Sequence, residues 1–248
     1  MRVLAIAALM TFGMAGAQTA KQEVAVAAAA NLSTVFQTLG PRFETETGIH
    51  PVFSFASTAQ LAAQIENGAP FDVFAAADTE HVEALEKNAR IVPGSRAVYA
   101  TGILALWIPP RSRVTVSSPA DLVQPGVKVI AIAKPELAPY GLAARETLQK
   151  LGIWNRVESR VVYADNINMA KQYGASGNAD AVFTAYSLVL KESGKVIPVD
   201  EELHSPIEQA IGIVASSKNQ NTAKTFKSWL LTGHGRDGLR AFGYKVGR

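Results

Sequence analysis

From Val24 onward the chain alternates short apolar runs with longer stretches in which apolar residues recur every three or four positions. The short runs suit strands buried on both faces, and the spaced positions suit helices packed against them. Residues 24–30 read as a first strand. Leu32, Val35, Phe36, Leu39 and Phe43 follow at helical spacing, and Gly48 ends that helix. Residues 52–56 predict a second strand, with a helix through Leu61 and Ile65 to Gly68. Residues 72–77 predict a third strand, with a helix over 79–88. Further strands are expected at 103–108 (closed by Pro109-Pro110), 127–133, 161–164, 181–185 and 211–215. Helices are expected at 142–151, 167–173, 186–192 and 222–231. Strand–helix alternation of this kind defines an α/β fold with largely parallel sheets.

The first residues break the pattern. Arg2, an apolar stretch over 3–14 and Ala15-Gly16-Ala17 are the three parts of a secretory signal peptide, with cleavage expected after Ala17. The apolar stretch is shorter than the roughly 20 residues a bilayer span requires. With Arg2 removed, the formal net charge falls by one from +3 to +2. The basic residues are scattered and not interleaved with aromatics, so nucleic acid is not an expected partner. The chain has no cysteine, which excludes thiol catalysis, zinc–thiolate sites and lipid attachment through an N-terminal cysteine.

Nor does the sequence carry G-x-S-x-G, H-E-x-x-H or a Walker loop. His50, His81, His204 and His234 are isolated and expected at the surface. Asp72, Asp78 and Asp165 have no acid–base partner at a fixed spacing, so no enzyme activity is expected.

In open parallel sheets, ligands bind beyond the carboxyl ends of the strands, where strands hand over to helices. Here those handovers carry small or neutral polar residues: Ala30-Asn31, Ser57-Thr58, Pro139-Tyr140-Gly141, Asp165-Asn166-Ile167-Asn168 and Ala185-Tyr186-Ser187. Taken singly, Asn31, Ser57, Thr58 or Asn166 reads first as a helix cap, and either tyrosine as a packing residue. Taken together, they describe helix N-termini and uncharged donors facing a common cleft. Such a cleft suits a fully ionised dianion, stabilised by helix dipoles, N–H groups and hydroxyls. Asp165 and Tyr186 stay open as contributors.

The same loops carry a family resemblance. Ala27-Ala28-Ala29-Ala30-Asn31-Leu32 and Phe53-Ser54-Phe55-Ala56-Ser57-Thr58 resemble the first two signatures of periplasmic molybdate-binding proteins. Residues 61–74, with the turn Gly68-Ala69-Pro70-Phe71-Asp72, are similar to that family almost position for position, and 135–143 and 148–154 resemble its second-lobe segment. The resemblance implies a two-lobed type II periplasmic-binding-protein fold, each lobe a mixed, mostly parallel sheet flanked by helices. Residues 18–104 with 212–248 would form one lobe and 105–211 the other. It implies a monomeric periplasmic protein that captures molybdate or tungstate, or alternatively sulfate or another tetrahedral oxyanion, for an ABC permease and its ATPase.

By the same resemblance the oxyanion ligands fall on Asn31, Thr58, Tyr140 and the N–H of Ile167, with Ser57 and Ala30 as adjacent backbone donors. No cofactor is implied, and the metal arrives only as its oxyanion. Many members carry a ligand tyrosine at the end of the late strand, where this chain has Ala185. In the branch with asparagine after the alanine run the tyrosine comes from a Pro-Tyr-Gly-like turn, which Tyr140 fits.

Overall fold

A computed structural model describes residues 22–247; the expected signal peptide lies outside the described residues. Ten strands follow in chain order. They are β1 (Gln22–Ala29), β2 (Ile49–Ala56), β3 (Val73–Ala75), β4 (Ala97–Gly102) and β5 (Leu104–Ile108), then β6 (Ile130–Ala133), β7 (Val161–Ala164), β8 (Ala181–Ala185), β9 (Lys195–Pro198) and β10 (Ile207–Ile213). Between and after them run the helices α1 (Ser33–Thr47), α2 (Thr58–Glu66), α3 (Glu80–Lys87), α4 (Pro139–Lys150) and α5 (Trp154–Val157). The last four are α6 (Ile167–Ala175), α7 (Tyr186–Val189), α8 (Gln220–Leu231) and α9 (Gly233–Ala241).

The strands form two five-stranded sheets, ordered β2-β1-β3-β10-β4 and β7-β6-β8-β5-β9. Each repeats one plan: three parallel strands, one antiparallel strand, then an outer strand. The parallel part of each sheet is smaller than the strand–helix alternation implies. In each case the antiparallel member is a strand next to a crossing between sheets, and it enters from the opposite end.

The chain crosses twice, at Ile103 and between β9 and β10. β10 pairs with β3 and β4 from Ile207 onward, so the chain is back in the first sheet by that residue and not at 212. We therefore place the return boundary of the lobes before Ile207. Among the described residues no helix is long and apolar enough to cross a membrane.

The alanine run is explained by β1's interior position. Val24, Val26 and Ala28 pack with Phe36, Phe43 and Phe226 on one face, while Ala27 packs with Leu61, Ile65 and Phe74 on the other. Small side chains let helices approach both faces of the strand. The edge strand β2 exposes Val52, as its outer position allows. α1 stops where the chain turns left-handed at Gly48 (φ 72°), whose N–H bonds to Glu44 O at 2.8 Å. At the start of α4, a Cβ on Gly141 would lie 2.1 Å from Ala133 O, so only glycine lets this helix sit against the end of β6.

Candidate functional site

The carboxyl ends of β1, β2 and β3 in one sheet face those of β6, β7 and β8 in the other, and their handovers meet along a seam. Ala29, Ala30 and Ala77 from the first lobe share one buried cluster with Ala133, Tyr140, Ile167 and Ala185 from the second. Direct bonds cross the seam. Ala59 N–H donates to Leu137 O at 3.2 Å. Asn168 Nδ2 donates to Ala30 O at 3.0 Å and to Ser33 Oγ at 2.9 Å. Ser187 Oγ lies 3.2 Å from Asn31 O and 3.0 Å from the Tyr244 hydroxyl. The two lobes are therefore closed on each other.

Asn31, Ser57, Thr58, Tyr140 and Ile167 are all buried here. Asn31 does not cap its helix. Nδ2 donates to Gln209 Oε1 at 2.9 Å and to the Tyr244 hydroxyl at 3.0 Å, so both amide protons are taken within the chain. Tyr140 accepts from Gln209 Nε2 at 3.0 Å. Thr58 Oγ1 accepts from Ala77 N–H at 3.1 Å. Ser57 is the N-cap residue of α2, and its N–H donates to Gln60 Oε1 at 3.3 Å. The return half of that capping box falls short of hydrogen-bond geometry, so Ser57 Oγ is buried without a partner. Asn166 caps α6 by accepting from Met169 N–H at 3.0 Å, which leaves the first two N–H groups of the helix, those of Ile167 and Asn168, at its open end.

Proton accounting gives the seam its character. A hydroxyl carries one proton and two lone pairs. Tyr140 and Thr58 use a lone pair to accept from the protein, and neither hydroxyl proton has an acceptor among the described residues. With Ser57, this makes three buried hydroxyls whose protons are uncommitted. Thr184, at the end of β8, is likewise buried and unpartnered. A buried donor left unmade costs about 1–3 kcal/mol, so a group of them marks a place built for a guest that accepts.

The seam is also uncharged. Apart from tyrosines, the ionisable residues among the buried polar set are Asp72 and His204. Asp72 binds Ala25 N–H, Ser217 and Asn219 at the opposite end of the first sheet. Asp165 pairs with Lys134 at 2.7 Å on the surface. Tyr186 packs against Gly243, at whose position a Cβ would meet its ring at 2.6 Å. His204 departs from expectation: it is buried, with Nδ1 at 2.7 Å from Ser205 O, because it lies in the crossing before β10.

Three further seam residues are not evident in the sequence, Gln209, Tyr99 and Tyr244, whereas Ser187 belongs to the handover Ala185-Tyr186-Ser187. The hydroxyl of Tyr99 stands 2.7 Å from Gln209 Oε1 and 2.9 Å from Ala76 O, sharing one proton between them. Their only signal in the sequence is a polar residue inside or beside an apolar run.

Burial raises the Tyr99 and Tyr140 phenols well above the ordinary value, and that of Tyr244 to about 12. All three are neutral donors at neutral pH. A phenol whose folded pKa is raised favours folding fully below the ordinary value of about 10, and that advantage is lost as pH climbs through the folded value, because only the unfolded chain has released its proton. Stability measured by urea unfolding is therefore expected to fall above about pH 10, by about 1.4 kcal/mol per unit from Tyr244 alone. A flat profile to pH 12 would contradict the neutral-donor assignment.

Two like sheets, two crossings and a seam of unaccepted donors between them define the class of two-lobed binding proteins. A family model described as bacterial extracellular solute-binding protein matches residues 24–245, and the chain belongs to that family. It is 34% identical over 245 residues to the molybdate-binding protein ModA of Rhodobacter capsulatus, covering 98% of this chain and 96% of that protein. It is 38% identical over 228 residues to the molybdate-binding protein ModA of Azotobacter vinelandii, covering 90% and 89%. Among solved structures, the periplasmic molybdate-binding protein of Azotobacter vinelandii superposes with a TM-score of 0.83 at 32% identity, over 91% of this chain and all of that one.

Proposed function

We propose that the protein is a periplasmic, monomeric receptor that captures molybdate or tungstate in the seam and delivers it to an ABC permease and its ATPase. The observation that carries this reading is the set of buried hydroxyl protons, on Ser57, Thr58 and Tyr140, left without acceptors where helix N-termini converge. The relatives named for molybdate support the choice of anion. Ser57, Thr58 and Tyr140 donate through their hydroxyls. Ala30, Asn31 and Ile167 donate through backbone N–H groups at the first turns of their helices, and the Asn31 side chain braces the network.

A fully ionised tetrahedral dianion accepts from every side and needs no proton acceptor from the protein. Its charge is met by oriented dipoles and not by a counter-ion, and closure excludes the water that would weaken each bond. Selection against sulfate follows from size: a donor cage set for the longer metal–oxygen bonds leaves donors unpaired around the smaller ion.

The test is calorimetric titration with molybdate, tungstate, sulfate and phosphate at one pH. Molybdate and tungstate are expected to bind alike and well above the other two; equal affinity for sulfate would remove the size argument. Replacing Tyr140 by Phe deletes one donor and leaves Gln209 Nε2 unpaired, so binding is expected to weaken by about 1–3 kcal/mol. Unchanged affinity would take Tyr140 out of the site.

A further inference from the structure

Gln209 is fully buried on β10, next to a register shift between Gln209 and Ala210. Its amide joins three distant parts of the chain. Oε1 accepts from Asn31 Nδ2 at 2.9 Å and stands 2.7 Å from the Tyr99 hydroxyl. Nε2 donates to Tyr140 at 3.0 Å, across the seam. Room for this amide is left by Gly102, where a Cβ would fall 2.4 Å from Nε2.

A donor placed on the Tyr140 oxygen fixes the direction of that hydroxyl. The oxygen is used as an acceptor, so its proton must point elsewhere. Replacing the amide by a carboxylate would reverse this, because an ionised carboxylate only accepts and would take the proton of Tyr140. The tyrosine oxygen would then face the guest with lone pairs.

We propose that Gln209, without touching the anion, is a specificity-determining positioning residue. It holds Tyr140 as a donor and so tunes the seam to oxyanions that carry no proton, against those that keep one at neutral pH, such as hydrogen phosphate. The inference rests on the reading of the seam as an oxyanion site. The titratable groups around the amide are Tyr99, Tyr140 and Tyr244, held neutral by burial, with Asp78 beyond Tyr99 and paired to His81 at 2.8 Å. None of these tyrosines ionises between pH 5.5 and 8.5.

The experiment titrates the wild type and Gln209→Glu with molybdate and with inorganic phosphate from pH 5.5 to 8.5, following thermal unfolding alongside. The wild-type affinity for molybdate is expected to be flat across this range. In Gln209→Glu, molybdate binding should fall at least a hundredfold at pH 8 and recover on acidification, as the new carboxyl regains a proton to donate. Its preference for molybdate over phosphate at pH 8 should narrow by at least tenfold, an effect that a merely structural role would not produce. A folded variant with a flat pH profile and an unchanged preference overturns the proposal. If Gln209→Glu does not fold, Gln209→Met serves: with Tyr140 free to turn, molybdate should weaken about tenfold and its preference over phosphate should narrow severalfold, and an unchanged preference in that variant overturns the proposal. Absence of molybdate binding in the wild type defeats the oxyanion reading itself. Normal wild-type binding with indifferent Gln209 variants defeats only the role of Gln209.

Discussion

Gly102→Ala should weaken molybdate binding by about 3 kcal/mol, roughly a hundredfold, while leaving each lobe folded. Gly102 ends β4 beside the first crossing, and its backbone is not in a conformation reserved for glycine. The penalty is therefore purely one of space. The added methyl would sit 2.1 Å from the Tyr140 hydroxyl and 2.4 Å from Gln209 Nε2, separations that real carbon atoms do not adopt. Tyr140 belongs to the second lobe, so that collision is relieved by parting the lobes; Gln209 lies in the same sheet as Gly102, so its amide must also turn away from Tyr140. Small-angle scattering should show the variant more extended than the wild type in the presence of molybdate, and calorimetry should show the loss of affinity. Wild-type affinity in Gly102→Ala would mean that the seam does not close as described.

The largest stability effect is expected at Phe226, away from the seam. This α8 residue is buried under three aromatic rings of the first lobe: Phe43 at 5.1 Å and Phe36 at 5.7 Å, both edge-on, and Phe53 at 6.1 Å, tilted. Truncation to alanine removes the shared partner and leaves a cavity that a β1–α1–α8 interface of this density cannot close. About 3–5 kcal/mol should be lost in urea unfolding. Affinity in the fraction that remains folded should change far less, because Phe226 makes no hydrogen bond in the seam and shares with it only the buried cluster that holds Tyr99 and Tyr244. A loss below 1 kcal/mol would show that the rings repack.

These two substitutions mark what the sequence does and does not disclose. The apolar runs that became β1, β6 and β8 were legible because those strands are enclosed on both faces, and the spacing that became α1 because that helix buries one face; β7 is an edge strand with Tyr163 exposed, legible from its β-branched run alone. β4 and β9 were not. β4 has Val98 half exposed, and β9 is only half-buried in its middle with exposed ends, so neither carries the pattern of a strand enclosed on both faces. α9 contains Gly233, Gly235 and Gly238, poor helix formers, and Gly238 packs against Leu39 where a larger residue would collide. β10 starts four residues before the expected strand because Glu208 and Gln209 interrupt its apolar run. Gln209 is buried all the same, its polarity answered by Asn31, Tyr99 and Tyr140 from elsewhere in the chain.

The handover residues could be nominated from the strand–helix pattern, and Asn31, Thr58, Tyr140 and Ile167 do meet in one buried region. Their hydrogen-bond roles could not be nominated. Which hydroxyl gives and which accepts depends on partners that only folding brings near.

The bond between Asn31 and Tyr244 joins positions 213 residues apart. While the chain is being made, Asn31 emerges early, and its partners Ser187, Gln209 and Tyr244 follow only in the last quarter of the chain. A nascent chain therefore has no finished nest. It becomes receptive only once both ends have come together.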